Sequence, residues 1–240
     1  TIANSGGTLT GQGEWHEKGG KNTHSLHADL KVHDAGVLLT ELGYPNVLQK
    51  GNGEASVSLT WDGTPWSPVV STIEGPVKVS LANGSFQQVN TGVGGAVLSL
   101  LSMQSLLKRL QLDFSDLVQN GFSFDTLTSE SKVVKGVAYT DGTKVIGSHA
   151  SIISSGKADF NTRTIDYDVL VLPDINAAGA SIALAVVNPV AGIGSLVAQL
   201  LLRNPLSKIF STEYKVQGSF DNPTIEKKSA ASKTLEAAEK

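Results

Sequence analysis

Histidine and aspartate side chains near the start of the chain are the residues whose types and spacing would suit a metal site. Four of the five histidines, His16, His24, His27 and His33, lie close together in the sequence, and Asp29 falls between the last two. A zinc-type site needs three or four ligands that converge on one point. His27, Asp29 and His33 instead alternate with apolar residues, which predicts the solvent-facing side of a strand. We therefore predict no metal ion and no other cofactor.

Three aspartates would suit a general acid and base, because Asp113, Asp116 and Asp125 lie close in sequence. The first two follow an apolar stretch, and we interpret them as residues that cap or flank the end of a helix. The glycine clusters at 92–95 and 192–194 do not complete a nucleotide-binding spacing, and no serine occupies a G-x-S-x-G pattern. The chain is therefore predicted not to be an enzyme. A hydrolase of envelope polymers that uses Asp113 or Asp125 is kept only as a third hypothesis.

Two apolar stretches are the most distinctive parts of the sequence. Residues 175–202 contain no charged side chain, and Asn188 and Pro189 divide them into two halves. A membrane-spanning helix needs about 20 consecutive apolar residues, and proline interrupts a helix interior. We therefore predict short apolar helices near 93–111 and 190–202, neither of which spans a bilayer.

One side of each predicted helix is a candidate surface for contact with lipid or membrane. These residues are Val97, Leu100, Met103, Leu107 and Leu110 in the first helix and Ile193, Leu196, Val197, Leu200 and Leu201 in the second. Four basic residues nearby are candidates for contact with lipid headgroups, namely Lys108, Arg109, Arg203 and Lys208. Ordinary solvated positions at helix ends would explain the same basic residues.

The composition limits the function classes. The net charge is −3, and the basic residues form no patch of the kind that binds phosphate backbones, so nucleic acid is excluded as a partner. The chain has no cysteine, which excludes disulfides and thiolate metal sites. Charged residues make up only 17% of the chain and glycines number 25, which favours short strands with many turns.

Because Thr1 already leads into a predicted strand, we expect a piece of a longer protein.

Alternating hydrophobicity predicts that most of the chain is strand. Leu26, Ala28, Leu30 and Val32 point to one side of a strand whose other side is polar, and residues 53–61 repeat the pattern. A short helix is predicted between these strands, with Asp34 as N-cap and Gly43 as C-cap.

Later segments predict hairpins. Residues 76–89 form one with Asn83 and Gly84 at its tip, a placement we prefer to glycosylation of Asn83. Residues 157–173 form another, in which Ile165, Tyr167 and Val169 share a side with Val171. A last strand is predicted over residues 213–220. We predict about ten strands in an antiparallel meander.

Several strings in the sequence carry a family resemblance. RLQLDFSDLVQNGFSFDTL at 109–127, SGKADFNTRTIDYDVLVLP and EYKVQGSFDNPTI resemble the C-terminal region of the AsmA-like superfamily. GQGEW, LLTELGYPNVLQKGNG, SLTWDGTPWSP and VSLANGSF are similar to the same region, so the resemblance extends over about residues 7–226. It implies a mainly β fold, a curved antiparallel sheet that forms a chorein-type groove, with two or three short helices. We divide the chain into a lead-in at 1–6, the groove region at 7–224 and a polar disordered tail at 225–240.

The resemblance also implies a function. Members of this superfamily are expected to lie in the periplasm of Gram-negative bacteria and to be anchored in the inner membrane by a segment absent here. They are expected to carry phospholipid to the outer membrane. This chain would be the end of the protein that lies far from the anchor. Its apolar helices would cap the groove or contact the inner leaflet of the outer membrane.

Two interpretations of the apolar side of the sheet remain open at this point. Acyl chains would suit its aliphatic lining, since each methylene exposed to water costs about 0.8 kcal/mol. A core filled by the protein's own side chains suits the residues equally well and would be the preferred interpretation without the resemblance. A docking module that binds an outer-membrane or periplasmic protein, with no lipid on the sheet, is the alternative function.

Overall fold

A computed structural model describes residues 1–87, 122–147, 150–173 and 212–228. The described residues form twelve strands, one α-helix and one short 3-10 helix. The elements are β1 (Ile2–Ala3), β2 (Gly7–Lys18), β3 (Lys21–Val32), α1 (Ala35–Glu41), β4 (Leu48–Thr64), β5 (Ser67–Pro68), a 3-10 turn (Val70–Thr72), β6 (Gly75–Phe86), β7 (Phe122–Val134), β8 (Val137–Ile146), β9 (Ala150–Asp159), β10 (Thr164–Pro173), β11 (Thr212–Ser219) and β12 (Pro223–Lys227).

All twelve strands belong to one open, curved antiparallel sheet. Its order is β1-β2-β3-β4-β6-β7-β8-β9-β10-β11-β12, and the short β5 pairs with the end of β4. Every strand on this path therefore pairs with its neighbours along the chain, apart from the step past β5. The predicted antiparallel meander is confirmed, with twelve strands where about ten were predicted.

Short turns between strands have the backbone angles that their residues favour. Gly19 and Gly20 connect β2 to β3 with φ of 61° and 78°. Lys135 and Gly136 connect β7 to β8 with φ of 51° and 75°. Two successive positive φ angles define the tight turn that matches the twist of paired strands. Both connections are therefore tight hairpin turns.

The hairpin tip predicted at Asn83 and Gly84 is wrong. Strand β6 runs without interruption from Gly75 to Phe86, and Gly84 pairs with Lys50 on one side and Phe124 on the other. Asn83 does have the positive φ of 56° that a tip would need, but asparagine tolerates this angle inside a strand as well. Both neighbouring strands hold the segment in the sheet.

The positive φ of Asn83 changes which residues of β6 are buried. Leu81 and Phe86 are both buried although they are five residues apart, whereas an uninterrupted strand would place them on opposite sides. A β-carbon on Gly84 would lie 2.4 Å from the Phe124 ring. The aromatic ring therefore occupies the space above Gly84, which explains why this residue has no side chain.

The predicted short helix is confirmed. The Asp34 carboxylate accepts a hydrogen bond of 3.0 Å from the Val37 amide, as an N-cap does. The C-cap is Leu42 rather than the predicted Gly43, which is the next residue and has a φ of 90°. The Tyr44 amide then donates to the Leu39 carbonyl at 2.8 Å, the bonding pattern of a glycine-terminated helix.

The two predicted apolar helices, near 93–111 and 190–202, lie outside the described residues. None of the helices in the described ranges has the length and apolar character needed to cross a membrane. At the other end of the chain, Ile225 in β12 pairs with Val216 in β11. The sheet thus includes residues 225–227, which the sequence analysis assigns to the polar tail.

Candidate functional site

The two long connections of the chain leave the sheet at the same end. Strands β6 and β10 end at Phe86 and Pro173, and the strands that follow them begin at Phe122 and Thr212. Because successive strands alternate in direction, β6, β8 and β10 all end on one side of the sheet. We call this side the insertion end, defined by those four residues. The opposite side, the turn end, contains the tight turns at 19–20 and 135–136.

One surface of the sheet, the apolar face, consists of aliphatic and aromatic residues aligned across the strands. Leu9, Leu30, Ala55 and Val79 pair in one continuous row over β2, β3, β4 and β6. Parallel rows on either side of this one follow from the same register. Their further apolar members are Trp15, Leu26, Ala28, Val32, Val57, Leu59, Trp61, Val77, Leu81, Leu127, Val133, Val145, Ile152, Ile165, Val169, Val171, Tyr214 and Val216.

Exposure of the apolar face changes along the sheet. On β4 the apolar-face residues Ala55, Val57 and Leu59 are only half-buried, and Val79 on β6 is as well. On β10 and β11 most apolar-face residues are buried, as in Val169, whose exposed fraction is 5%. The apolar face is therefore only partly open to solvent over β2–β6, where Ala28, Val32 and Leu81 are buried, and it is covered over β9–β11.

The opposite surface, the polar face, carries charged residues over the first half of the sheet. His27 contacts Asp29 along β3 at 3.5 Å, and Lys78 on β6 contacts Glu130 on β7 at 3.4 Å. His33 is also exposed. The predicted solvent-facing side of this strand is confirmed, and the described residues contain no cluster of three or more potential metal ligands.

His24 lies on the apolar face, away from the other histidines. Its ring is stacked between those of Trp15 and Trp61, with centroid distances of 6.3 and 5.8 Å, and it is 6% exposed. The His24 Nε2 atom lies 3.2 Å from the Gly63 carbonyl oxygen. This aromatic row was not predicted from the sequence, although His24 has the same parity as Leu26 on β3.

The polar face is itself buried near the end of the meander. Ile153 on β9 and Leu170 on β10 are paired in register and have no exposed surface. Beside them, Asp168 contacts Lys215 at 3.4 Å and Lys228 at 3.1 Å. Both faces are thus covered over β9 and β10, which makes this part of the sheet a closed core.

A group of hydroxyl side chains interrupts the apolar face where the open part ends. Ser129 on β7 and Thr143 on β8 are hydrogen-bonded at 2.8 Å. In the next row, Ser131 and Thr140 are bonded at 2.8 Å, and Thr140 is 3.2 Å from the Tyr167 hydroxyl on β10. We call these five residues the hydroxyl cluster. The cluster was not predicted from the sequence. The available signal was that Ser129 and Ser131 occupy alternate positions on β7, with the exposed Glu130 between them.

Burial affects the acidity of the cluster. Loss of hydration raises the pKa of Tyr167, and the hydrogen bond with Thr140 offsets only part of that effect. The Tyr167 hydroxyl therefore keeps its proton at neutral pH and remains a hydrogen-bond donor.

The sequence-predicted lipid-contacting and headgroup-contacting residues, in the segments 97–110 and 193–208, lie outside the described residues. Asp113 and Asp116 do too. Asp125 is described and is exposed on β7. These candidates therefore stay predictions, and the structure adds the apolar face and the hydroxyl cluster as further candidate surfaces.

Comparison with known proteins identifies relatives of the chain. The family described as "YhdP protein" matches residues 1–225. The chain is 30% identical over 217 residues to "Intermembrane phospholipid transporter YhdP" of Escherichia coli (strain K12). The match covers 90% of this chain but only 17% of the length of that curated relative. No solved structure matches the chain.

Proposed function

We propose, from the premise that the chain belongs to the YhdP protein family, that it is the C-terminal portion of a periplasmic protein that carries phospholipid between the inner and outer membranes. Its resemblance to the AsmA-like superfamily is confirmed by the same match. The E. coli relative is named for phospholipid transport between membranes. Because this chain spans a small part of that relative, transport itself is a property we propose for the whole protein.

The observation that supports this proposal is the open half of the apolar face. Half-buried aliphatic residues on β3, β4 and β6, including Leu30, Val57 and Val79, form continuous rows across these strands. Contiguous apolar side chains that solvent can reach are a feature of binding surfaces, which supports this role. An acyl chain lying along the rows covers this surface and leaves the headgroup in water.

The energetic reason for such a surface is the cost of exposing lipid tails. Each methylene contributes about 0.8 kcal/mol on transfer from water to an apolar environment. A chain of about sixteen carbons therefore costs on the order of 13 kcal/mol to move through water unaided. A sheet that offers an apolar row at every step removes most of that cost.

We propose that the insertion end faces the receiving membrane. Both long connections leave the sheet from this end, at Phe86 and Pro173, and both contain the apolar stretches predicted as short helices. Two connections that begin and end at the same edge of the sheet suit either closure of the groove or contact with the inner leaflet of the outer membrane. Lys108, Arg109, Arg203 and Lys208 would then contact phosphate headgroups.

Native mass spectrometry of the purified chain tests the proposal. We expect phospholipid to copurify with the protein, because the half-buried aliphatic rows offer acyl chains an apolar surface. Protein that is consistently free of lipid, and that does not bind liposomes, would contradict the proposal.

Photocrosslinking tests the alternative docking function. A crosslinking group at Leu107 or Leu200, within the predicted helices, is expected to label lipid in cells. Labelling of an outer-membrane or periplasmic protein, with no lipid adduct, would instead favour a docking module.

A further inference from the structure

The hydroxyl cluster continues the rows along which an acyl chain would lie. Val79 on β6 pairs with Ser129 on β7, and Val77 pairs with Ser131. The lining of the apolar face thus changes from valine to serine within the same row. This change occurs at the boundary between the open half of the face and the covered half.

The cluster has hydrogen-bond donors that its own members do not use. Each hydroxyl group can donate one proton. Ser131, Thr140 and Tyr167 have three such protons and two hydrogen bonds, and the pair of Ser129 and Thr143 has two protons and one hydrogen bond. One proton in each group is therefore left over, and the five hydroxyls make no further hydrogen bond within the described part of the chain.

Water satisfies the half-buried donors while the face is open, but an acyl chain that covers the face displaces this water. Leaving a hydroxyl without a partner in an apolar environment costs about 1–3 kcal/mol in proteins. Ser129, Ser131 and Thr143 are half-buried, so a molecule on the open half of the face can reach them, whereas Thr140 is only 6% exposed. A suitable partner combines hydrocarbon with acceptor oxygens directly attached to it.

We propose that the hydroxyl cluster binds the acceptor oxygens of a phospholipid, its phosphate or ester oxygens, and thereby marks where the acyl chain on the apolar face ends. This inference rests on the proposed function, since it assumes that lipid occupies the face. It adds a polar recognition site, formed by five named residues, to a surface that otherwise selects only for hydrocarbon. Burial keeps Tyr167 protonated and hence able to donate.

Near-isosteric removal of the hydroxyls tests this site in the full 240-residue chain. The test variants are Tyr167→Phe alone and the combination Ser131→Ala, Thr140→Val and Tyr167→Phe. The control variant, Ser85→Ala with Ser123→Ala, removes a hydroxyl pair 3.4 Å apart on β6 and β7, outside the cluster. Thermal unfolding of each variant verifies that it is folded.

Two probes separate recognition of oxygen from recognition of hydrocarbon. Dioleoyl phosphatidylethanolamine is titrated with native mass spectrometry as the readout, and diphenylhexatriene, a pure hydrocarbon, is titrated by its fluorescence. We expect the triple variant to bind the phospholipid about tenfold more weakly, equivalent to about 1.4 kcal/mol. Its affinity for diphenylhexatriene, and both affinities of the control variant, are expected to equal those of the unmodified chain.

Other outcomes are equally clear. Unchanged phospholipid affinity in the triple variant would overturn the site, as would loss of both probes, which would mean that the hydroxyls only hold the sheet together. An unmodified chain that binds neither probe would overturn the proposed function itself. Diacylglycerol and an ether-linked phospholipid, tested in the same way, distinguish phosphate oxygens from ester oxygens.

Discussion

The hydroxyl oxygens of Thr140 and Tyr167 lie 3.2 Å apart although their strands, β8 and β10, are not neighbours. The residue between them on β9 is Gly156, which pairs with both. Because Gly156 has no side chain, the long tyrosine side chain reaches across the intervening strand. This contact joins three strands at the point where the open half of the apolar face ends.

Gly156→Ala is expected to destabilise the protein. A β-carbon at this position would lie 2.2 Å from the Asp166 carbonyl oxygen, so the backbone of β10 would have to move. We expect a loss of about 1–3 kcal/mol in the free energy of unfolding, measured with urea. Gly20→Ala is the control, because Gly20 also has a positive φ but no atom within 4 Å of the added carbon. Equal losses in the two variants would contradict the explanation.

Stability is expected to fall at alkaline pH. Burial raises the pKa of both Tyr167 and Tyr214 above the ordinary value of 10.0. The folded state therefore retains protons that the unfolded state releases, so the free energy of unfolding declines as the pH rises above about 10. Combining Tyr167→Phe with Tyr214→Phe should flatten this decline in urea titrations, whereas Tyr139→Phe at an exposed position should not. An unchanged slope in the double variant would refute the assignment.

A charge on the open half of the apolar face is expected to displace lipid. Val57→Glu places a carboxylate in the middle of the apolar rows, where acyl chains would have to desolvate it. We expect copurified phospholipid, measured by mass spectrometry, to fall about tenfold or more. Ser58→Glu, on the exposed opposite face of the same strand, should retain its lipid. Similar lipid content in both variants would show that this face does not bind acyl chains.

Tryptophan fluorescence provides an independent test of where lipid lies. Trp61 is on the apolar face in contact with His24, whereas Trp66 is 94% exposed in the turn between β4 and β5. In single-tryptophan variants, lipids with brominated acyl chains are expected to quench Trp61 more strongly than Trp66. Stronger quenching of Trp66 would place the acyl chains away from the apolar face.

Loss of the helix cap should weaken α1. Asp34→Ala removes the acceptor for the Val37 amide and is expected to cost about 1 kcal/mol in the free energy of unfolding. Asp29→Ala removes an exposed aspartate that contacts His27 at 3.5 Å and should change stability by about a few tenths of a kcal/mol. A smaller effect at Asp34 than at Asp29 would rule out the capping role.

Regular alternation made much of the fold predictable from the sequence. Leu26, Ala28 and Leu30 show the period of two that a strand with one apolar side requires, and the observed β3 has that arrangement. The hairpin that contains Ile165 and Tyr167 was predictable for the same reason. A cap at Asp34 was predictable because the pattern depends on only a few consecutive residues.

Features that depend on distant residues were not predictable. Asn83 and Gly84 have the local preferences of a tight turn, but pairing with β4 and β7 keeps them in a strand. The contact between Thr140 and Tyr167 depends on a glycine in a third strand, which no local pattern reveals. Such contacts become visible only when the register of the sheet is known.

The order of strands in the meander also determines how the molecule could change in length. Each strand adds about 4.8 Å to the sheet in the direction perpendicular to the strands. Because the described strands of the main path pair in chain order, a hairpin duplicated or deleted during evolution would lengthen or shorten the sheet by about 10 Å and leave the remaining pairings in place. The length of such a sheet is therefore set by the number of its hairpins, while the distance between the insertion end and the turn end stays the same.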